Sequence, residues 1–354
     1  MSAPRGAFLN AVATSVPRHD VHRKFVDYAP RMLRDERARR LFGRMAERSG
    51  IERRFSSLEP DAAPERLDRG GFFAAGRFPD TAARMRRFER DAPPLAEAAL
   101  AGLPPDWRRG LTHLLLTCCT GFYAPGLDLQ LVERFGLDPG IERTVIGFMG
   151  CNAAFNGLKL ARHIVRSEPR ARVLMLNLEL CTLHLQETED LERLLSFLIF
   201  ADGCAASLIT AEPEGIELQR FATAIVPDSG AHIAWRIGGL GFDMHLSGRV
   251  PSTIARGLPP HLAALLGGRP ADAIELWAVH PGGRSVLDAV EQTIGLEPAA
   301  LAASRDVLRR YGNMSSATVM FVMEKLLRGP AGNGCGMAFG PGVSVESLLF
   351  RRTG

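Results

Sequence analysis

The chain has 354 residues, is 46% hydrophobic and 23% charged, and carries a formal net charge of +4. That composition excludes a disordered chain and a mini-protein, and the length suits one large duplicated domain or two domains. Forty-three basic residues nearly balance 39 acidic ones, so nucleic acid is not indicated as a partner; the three lysines against 40 arginines are a compositional bias. The six cysteines form no CxxC pair and no zinc-type spacing with histidine, so no metal site is expected. The N-terminal stretch reads as no signal peptide, and no run is long enough to cross a membrane. A reducing cytoplasm with free thiols is the expected compartment.

In chain order, residues 31–57 are arginine-rich with Leu33, Leu41, Phe42 and Met45 at helical spacing, which predicts an amphipathic helix with a basic face. Residues 58–92, rich in Pro, Gly and Arg, read mainly as surface loop with short helical pieces. Strong patterning begins at a short helix, Leu95–Ala101, and continues through a strand at Thr112–Leu116, a turn (CCTGFYAPG) and a helix at Leu127–Phe135. A strand at Thr144–Phe148 then runs into Gly150-Cys151, followed by a helix over Asn152–Arg166 and a strand over Arg172–Leu178. This rhythm predicts an α/β fold. The C-terminal part repeats it. A strand at Ile274–Val279 leads into HPGG, three helices follow (Ser285–Ile294, Ala299–Tyr311, Met314–Leu327), and a strand pair closes around a Gly-Pro-Gly turn.

The two halves superpose as patterns. A helix ending GLDP at Gly136–Pro139 precedes a GC helix start, and one ending GLEP at Gly295–Pro298 precedes a GN helix start, about 160 residues later. The expectation is one duplicated α/β unit, residues 1–212 and 213–354, joined near Glu212–Gly215. A pseudo-twofold axis would bring the helix starts after Cys151 and Asn313 together, two positive dipole ends facing one cavity.

Cys151 stands where a buried strand turns into a helix, the geometry of a nucleophile elbow. A helix start favours a thiolate; a buried packing cysteine is the alternative. His280 follows an apolar strand, at the sheet end where ligands bind in α/β proteins. Asn313 follows a glycine at a helix start, where capping is the ordinary use of asparagine. Together, a thiol, an imidazole that can move protons and a neutral amide donor form a set suited to acyl transfer.

The order Cys, His, Asn in the settings GFMGC, HPGG, YGNMSSA and AFGPG resembles the type III polyketide synthases, the chalcone-synthase-like branch of the thiolase superfamily. RMAERSGIERRF, FADGCAASL, PDSGAH and GFDMHLSGRVP fall in the same family order, so the resemblance spans nearly the whole chain. It implies a thiolase-like, duplicated αβαβα five-layered fold, a homodimer, coenzyme A thioesters as substrates and no metal or redox cofactor. By resemblance, Cys151 carries the starter acyl group, His280 keeps it as a thiolate, and His280 with Asn313 binds the malonyl-CoA thioester oxygen. Phe200 and Met244 take the two gatekeeper places, and Arg44 and Arg48 the places that contact CoA phosphates. Thr120, Ala124, Cys181, Trp235 and Ser315 are implied pocket walls. Ala124 with Cys181 resembles bacterial members that thread an alkyl chain into an extra tunnel, while Trp235 adds bulk. The implied reaction is iterative condensation of an acyl-CoA, expected to be fatty, with malonyl-CoA, ending in a pyrone or a resorcinol- or phloroglucinol-type ring. A single-condensation ketoacyl synthase is the nearest competing reading. A papain-like protease has the wrong local context around its cysteine, and an inert acyl-binding protein would not need all three polar groups.

Overall fold

The computed structural model describes residues 6–354; Met1–Arg5, part of the N-terminal stretch read above, lie outside the described residues. The first half contributes β1 (Phe8–Ser15), α1 (His22–Tyr28), α2 (Glu36–Arg48), α3 (Thr81–Leu100), β4 (His113–Cys118), α4 (Leu127–Phe135), β5 (Glu142–Gly147), α5 (Ala153–Ser167), β6 (Val173–Leu180), α6 (Leu191–Ile199) and β7 (Asp202–Thr210). Short strands β2 (His19–Asp20) and β3 (Phe55–Ser56) pair with each other. The second half contributes β8 (Ile216–Ile225), a hairpin of β9 (Ile233–Gly238) and β10 (Gly241–Leu246), α7 (Val250–Leu266), β11 (Leu276–Val279), α8 (Arg284–Ile294), α9 (Ala302–Tyr311), α10 (Thr318–Leu327), β12 (Gly332–Gly340) and β13 (Ser344–Arg352).

Nine strands form one mixed sheet in the order β11-β12-β13-β8-β1-β7-β6-β4-β5. The two halves of the sheet join where Phe8 and Leu9 of β1 pair with Glu217 and Ile216 of β8, with Leu218 N donating to Ala7 O at 2.8 Å beside them. Alternation along the strands sends side chains into different cores. In β4, Leu114 and Leu116 enter an outer core under α3 and α4, while Leu115 enters a central core around α5 and α10. In β11, Trp277 and Val279 face an outer core with α7 and α8, and Leu276 and Ala278 face the central one. The layers are therefore helix, half-sheet, central helices, half-sheet, helix, the αβαβα arrangement expected.

One element differs from the expectation. Residues 81–100 form a single helix through Pro93 and Pro94, where a loop over 58–92 was anticipated. Asp80 caps it by accepting from Ala83 N at 2.7 Å, and Phe88, Ala92, Leu95 and Ala96 carry its buried stripe. Its first turns are dense in arginine, which hid the apolar spacing. Prolines tolerate that position only because the stripe on either side is anchored in the outer core.

Candidate active site

Cys151 sits in a 3₁₀ turn, Gly150–Asn152, between β5 and α5; Ser315 sits in the matching turn, Ser315–Ala317, ahead of α10. The two turns pack on each other, so the starts of the two central helices do meet. Tight backbone makes this possible. Gly150 has φ +76°, and a Cβ there would stand 2.3 Å from Pro341 Cδ. Phe148, three residues before Cys151, has φ +55°, and Ser315, two after Asn313, has φ +46°. Side-chain-bearing residues seldom adopt such angles, and strain of this kind collects at working sites.

His280 leaves the end of β11 with its N–H donated to Met337 O at 2.8 Å. Its ring is buried, and neither ring nitrogen has a protein partner. Asn313 is pinned by its backbone: its N–H donates to Ile199 O at 2.8 Å and its carbonyl accepts from Ala201 N at 2.9 Å, one on each side of Phe200. Its side-chain Oδ1 accepts from Ser315 N at 2.9 Å and from Thr318 Oγ1 at 3.3 Å, and its Nδ2 donates to Gly282 O at 3.3 Å. Those bonds fix which end of the amide is the donor and leave one N–H free.

One cavity, with about 690 Å³ of empty space counted to its mouth, is walled by Cys151, His280 and Asn313. Thr120, Cys181, Phe200, Trp235, Met244 and Ser315 complete the expected set on the same walls. Phe200, Met244 and Cys181 pack as one cluster with Trp235 against it. Trp235 Nε1 donates to Cys119 O at 2.7 Å, and its ring meets His184 and Phe242 edge-on. His184 is itself locked, with Nε2 2.7 Å from Thr120 O and Nδ1 accepting from Phe242 N at 3.0 Å. This aromatic block fills the floor beside Cys181.

Ala124 does not belong to the cavity. It is exposed on the loop between β4 and α4, so the void expected from a shortened side chain there is not part of this pocket. Arg48 lines a surface groove that shares Leu246, Val250, Gly282 and Val286 with the cavity and forms its outer mouth. Arg44, on the same helix, is exposed and stands outside the groove walls.

Cys151 borders the cavity, but burial pushes its thiol up to about 11, against the pull of the Ser315 and Asn313 side chains. Burial pushes His280 down to about 3. Desolvation favours the neutral form of each group.

Glu179 and Arg284 escape the sequence reading, and Cys119, placed by it beside a turn near the cavity, has a part it did not show. Glu179 is fully buried behind the cavity; its Oε2 accepts from Cys119 N at 2.9 Å and Thr120 Oγ1 at 2.8 Å, and its Oε1 from Ser316 Oγ at 2.5 Å. Burial raises it to about 7 despite these donors. A lone acid inside the apolar run VLMLNLEL was its signal. Cys119 Sγ accepts from Gly150 N at 3.1 Å, bracing the turn that carries Cys151. Arg284, opening α8, lines the groove with Arg48 and donates to Arg48 O at 3.3 Å.

An αβαβα fold whose two central helices start at a cavity bearing thiol, imidazole and amide side chains is that of the thiolase-like acyltransferases. Family models for the N-terminal and C-terminal domains of chalcone and stilbene synthases match residues 2–213 and 217–353. The chain belongs to that family and is a type III polyketide synthase. The alpha-pyrone synthesis polyketide synthase-like Pks18 of Mycobacterium tuberculosis is 33% identical, over 97% of this chain and 91% of that protein. The bisdemethoxycurcumin synthase of Oryza sativa subsp. japonica is 32% identical, over 97% and 92%. Among solved structures, PKS-I of the brown alga Ectocarpus siliculosus superposes with a TM-score of 0.89 at 28% identity, covering 99% of this chain and 100% of the other. The type III domain of Steely1 from Dictyostelium gives 0.90 at 25%, covering 98% and 99%.

Proposed function

We propose that the cavity loads an acyl-CoA starter on Cys151, extends it with malonyl-CoA and releases a pyrone or a resorcinol- or phloroglucinol-type ring, with a fatty acyl group as the starter. The observation that carries this is the convergence of Cys151, His280 and Asn313 on one apolar cavity with Phe200 and Met244 at its wall. In the first step the Cys151 thiol adds to the starter carbonyl while its proton passes to His280, whose ring nitrogens have no other partner. The C–S bond to CoA breaks, and the CoA sulfur takes the proton. In the second step malonyl-CoA loses CO₂, and its thioester oxygen, now an enolate, is held by His280 and the free N–H of Asn313. The enolate carbon attacks the Cys151 thioester, forming a C–C bond and breaking the acyl C–S bond; the lengthened chain leaves as a CoA thioester and Cys151 is freed as a thiolate, which takes up one proton from solvent or accepts the next acyl group.

Repetition lengthens the chain until the floor of His184, Trp235 and Phe242 stops it. A short chamber favours early closure, in which an enol oxygen attacks the thioester carbonyl and the C–S bond to Cys151 breaks; the name of the Mycobacterium relative points to the same α-pyrone product class. Substrate phosphates are held at the groove by Arg48 and Arg284, with Arg44 further out on α2. Substrates are CoA thioesters and the steps written here draw on no other cofactor. The same proposal takes the chain as a cytoplasmic homodimer divided at 212/213; no helix among the described residues is long and apolar enough to cross a membrane.

The test is to incubate the full chain with malonyl-CoA and a panel of acetyl-, aromatic and octanoyl- to palmitoyl-CoA starters, with products read by mass spectrometry. Alkylpyrones from the long starters are expected. Products from acetyl or aromatic starters alone would overturn the fatty-starter reading, and one malonyl unit per product with no ring would overturn iteration.

A further inference from the structure

An open hollow with about 520 Å³ of water-accessible space lies toward the end of α5 away from Cys151, in the size range of small-ligand sites (roughly 300–1,000 Å³). Its walls come from four places: Arg162 and Arg166 on α5, Glu217 to Arg220 on β8, Leu266 to Arg269 where α7 ends, and Gly6 and Ala7 ahead of β1. At a helical rise of about 1.5 Å per residue, Arg162 stands roughly 16 Å along the chain from Cys151. The hollow shares no lining residue with the catalytic cavity or with the groove that bears Arg48.

Arg162, Arg166, Arg220 and Arg269 are four of its walls. None of them has a carboxylate within ion-pair distance among the described residues, whereas Arg87, Arg305 and Arg309 elsewhere each sit on an acid. Glu217, the acid on the same walls, has its Oε2 taken by Gln219 Nε2 at 2.9 Å. The five residues ahead of Gly6 are Met, Ser, Ala, Pro and Arg, which add no carboxylate. Four arginines against one glutamate leave a net charge of +3 on one concave surface.

Two of these cations are placed by the fold. Arg162 donates from Nε to Leu218 O at 2.8 Å and from Nη2 to Gln219 O at 2.7 Å, which fixes its half-buried side chain and leaves Nη1 without a protein partner among the described residues. Arg220 lies against Gly267, where φ is +61° and a Cβ would stand 3.2 Å from the Arg220 Nη1. Arg166, Arg220 and Arg269 are exposed, so their donors are open to a ligand. Like charges held together repel one another until an anion neutralises them, and guanidinium forks match phosphate oxygens with paired hydrogen bonds. The leucines of the lining, Leu218, Leu266 and Leu349, are buried, so the hollow offers a lipid bilayer no apolar contact.

We propose that this hollow binds a small polyphosphate, an anion with at least two linked phosphate groups, at the end of α5 remote from the thiol. The site takes part in no step of acyl transfer, so it stands apart from the function proposed above.

The experiment titrates the full chain by calorimetry with inorganic triphosphate, ATP and orthophosphate at about 0.15 M ionic strength, where loose surface attraction is screened. One triphosphate per chain is expected, bound at least about tenfold more tightly than orthophosphate, the margin of one further charge-assisted hydrogen bond. ATP bound as well as triphosphate would support a site that reads phosphates alone, and ATP bound more tightly would support one that takes a nucleotide. Arg166→Glu combined with Arg220→Glu should weaken triphosphate at least about tenfold, while the thermal melt and the rate of polyketide formation stay as in the parent. Arg48→Glu, in the other groove, should leave triphosphate binding unchanged. Three results would overturn the site: triphosphate bound no more tightly than orthophosphate, undiminished binding by the double variant, or binding lost in Arg48→Glu and kept in the double variant, which would put the anion in the CoA groove.

Discussion

At Cys151 burial favours the thiol, while the Ser315 and Asn313 side chains pull toward the thiolate. In the proposed reaction the nucleophile is made by proton transfer from Cys151 to the His280 ring, whose nitrogens have no protein partner. Cys151→Ala should retain the fold and lose polyketide formation by at least about a thousandfold, since no other group can carry the chain; product mass spectrometry checks this. Glu179 supplies a second residue-scale prediction. Its folded pKa, about 7, lies above the usual 4.5, so the folded state holds a proton the unfolded state has released. That contribution is complete below about pH 4.5 and is lost as pH rises to about 7, amounting to roughly 3 kcal/mol. Glu179→Gln should flatten the melting temperature across that window, as calorimetry at stepped pH would show; an unchanged slope would refute the assignment.

Elements decide how the site is held. The 3₁₀ turn bearing Cys151 exists because Gly150 lets Pro341 close over it, and Cys119 Sγ braces it from the other side. Gly150→Ala should cost about 1–3 kcal/mol in denaturant unfolding and lower kcat more than it raises KM, because it moves the nucleophile and not the CoA groove. Much of this element scale was legible beforehand. The helix Leu127–Phe135 has the bounds its spacing predicts, and the strand-to-helix turn at Cys151, the sheet end at His280 and the turn after Asn313 are where the glycines put them. What escaped was whatever depends on partners distant in sequence. Trp235 reads as a bulky substitution, but its role as a floor comes from Cys119 O, His184 and Phe242, up to 116 residues away. Ala124 reads as a pocket wall by position in a motif, while its loop carries it to the surface. Glu179 was visible as an acid in an apolar strand, but its purpose appears only with Ser316, 137 residues on.

On the scale of the molecule, β5 forms one edge of the nine-stranded sheet, and it is mostly exposed. Val145 on that strand is 46% exposed, with Met149 and Phe122 beside it at 43% and 37%. An open, apolar strand edge is a pairing surface that a lone chain has reason to cover. The proposed homodimer is expected to use it. Val145→Arg should shift the chain from dimer to monomer in sedimentation velocity, and a parent chain that sediments as a monomer at all concentrations would remove the proposal.

The central core has a consequence in time. Leu115, Val173 and Met175 of the first half bury against α5, but α10 and the facing strands β11 to β13 come from the second. A ribosome adding about 5–20 residues per second needs roughly 7–28 s to make the last 140 or so residues. Throughout that interval the first half is complete in its own strands, and α5 lies on its inner face without the α10 and second-half strands that cover it in the finished core. Until the second half is made, the outer side of α5 is the apolar surface left open, and surfaces of that kind are where a growing chain is prone to aggregate.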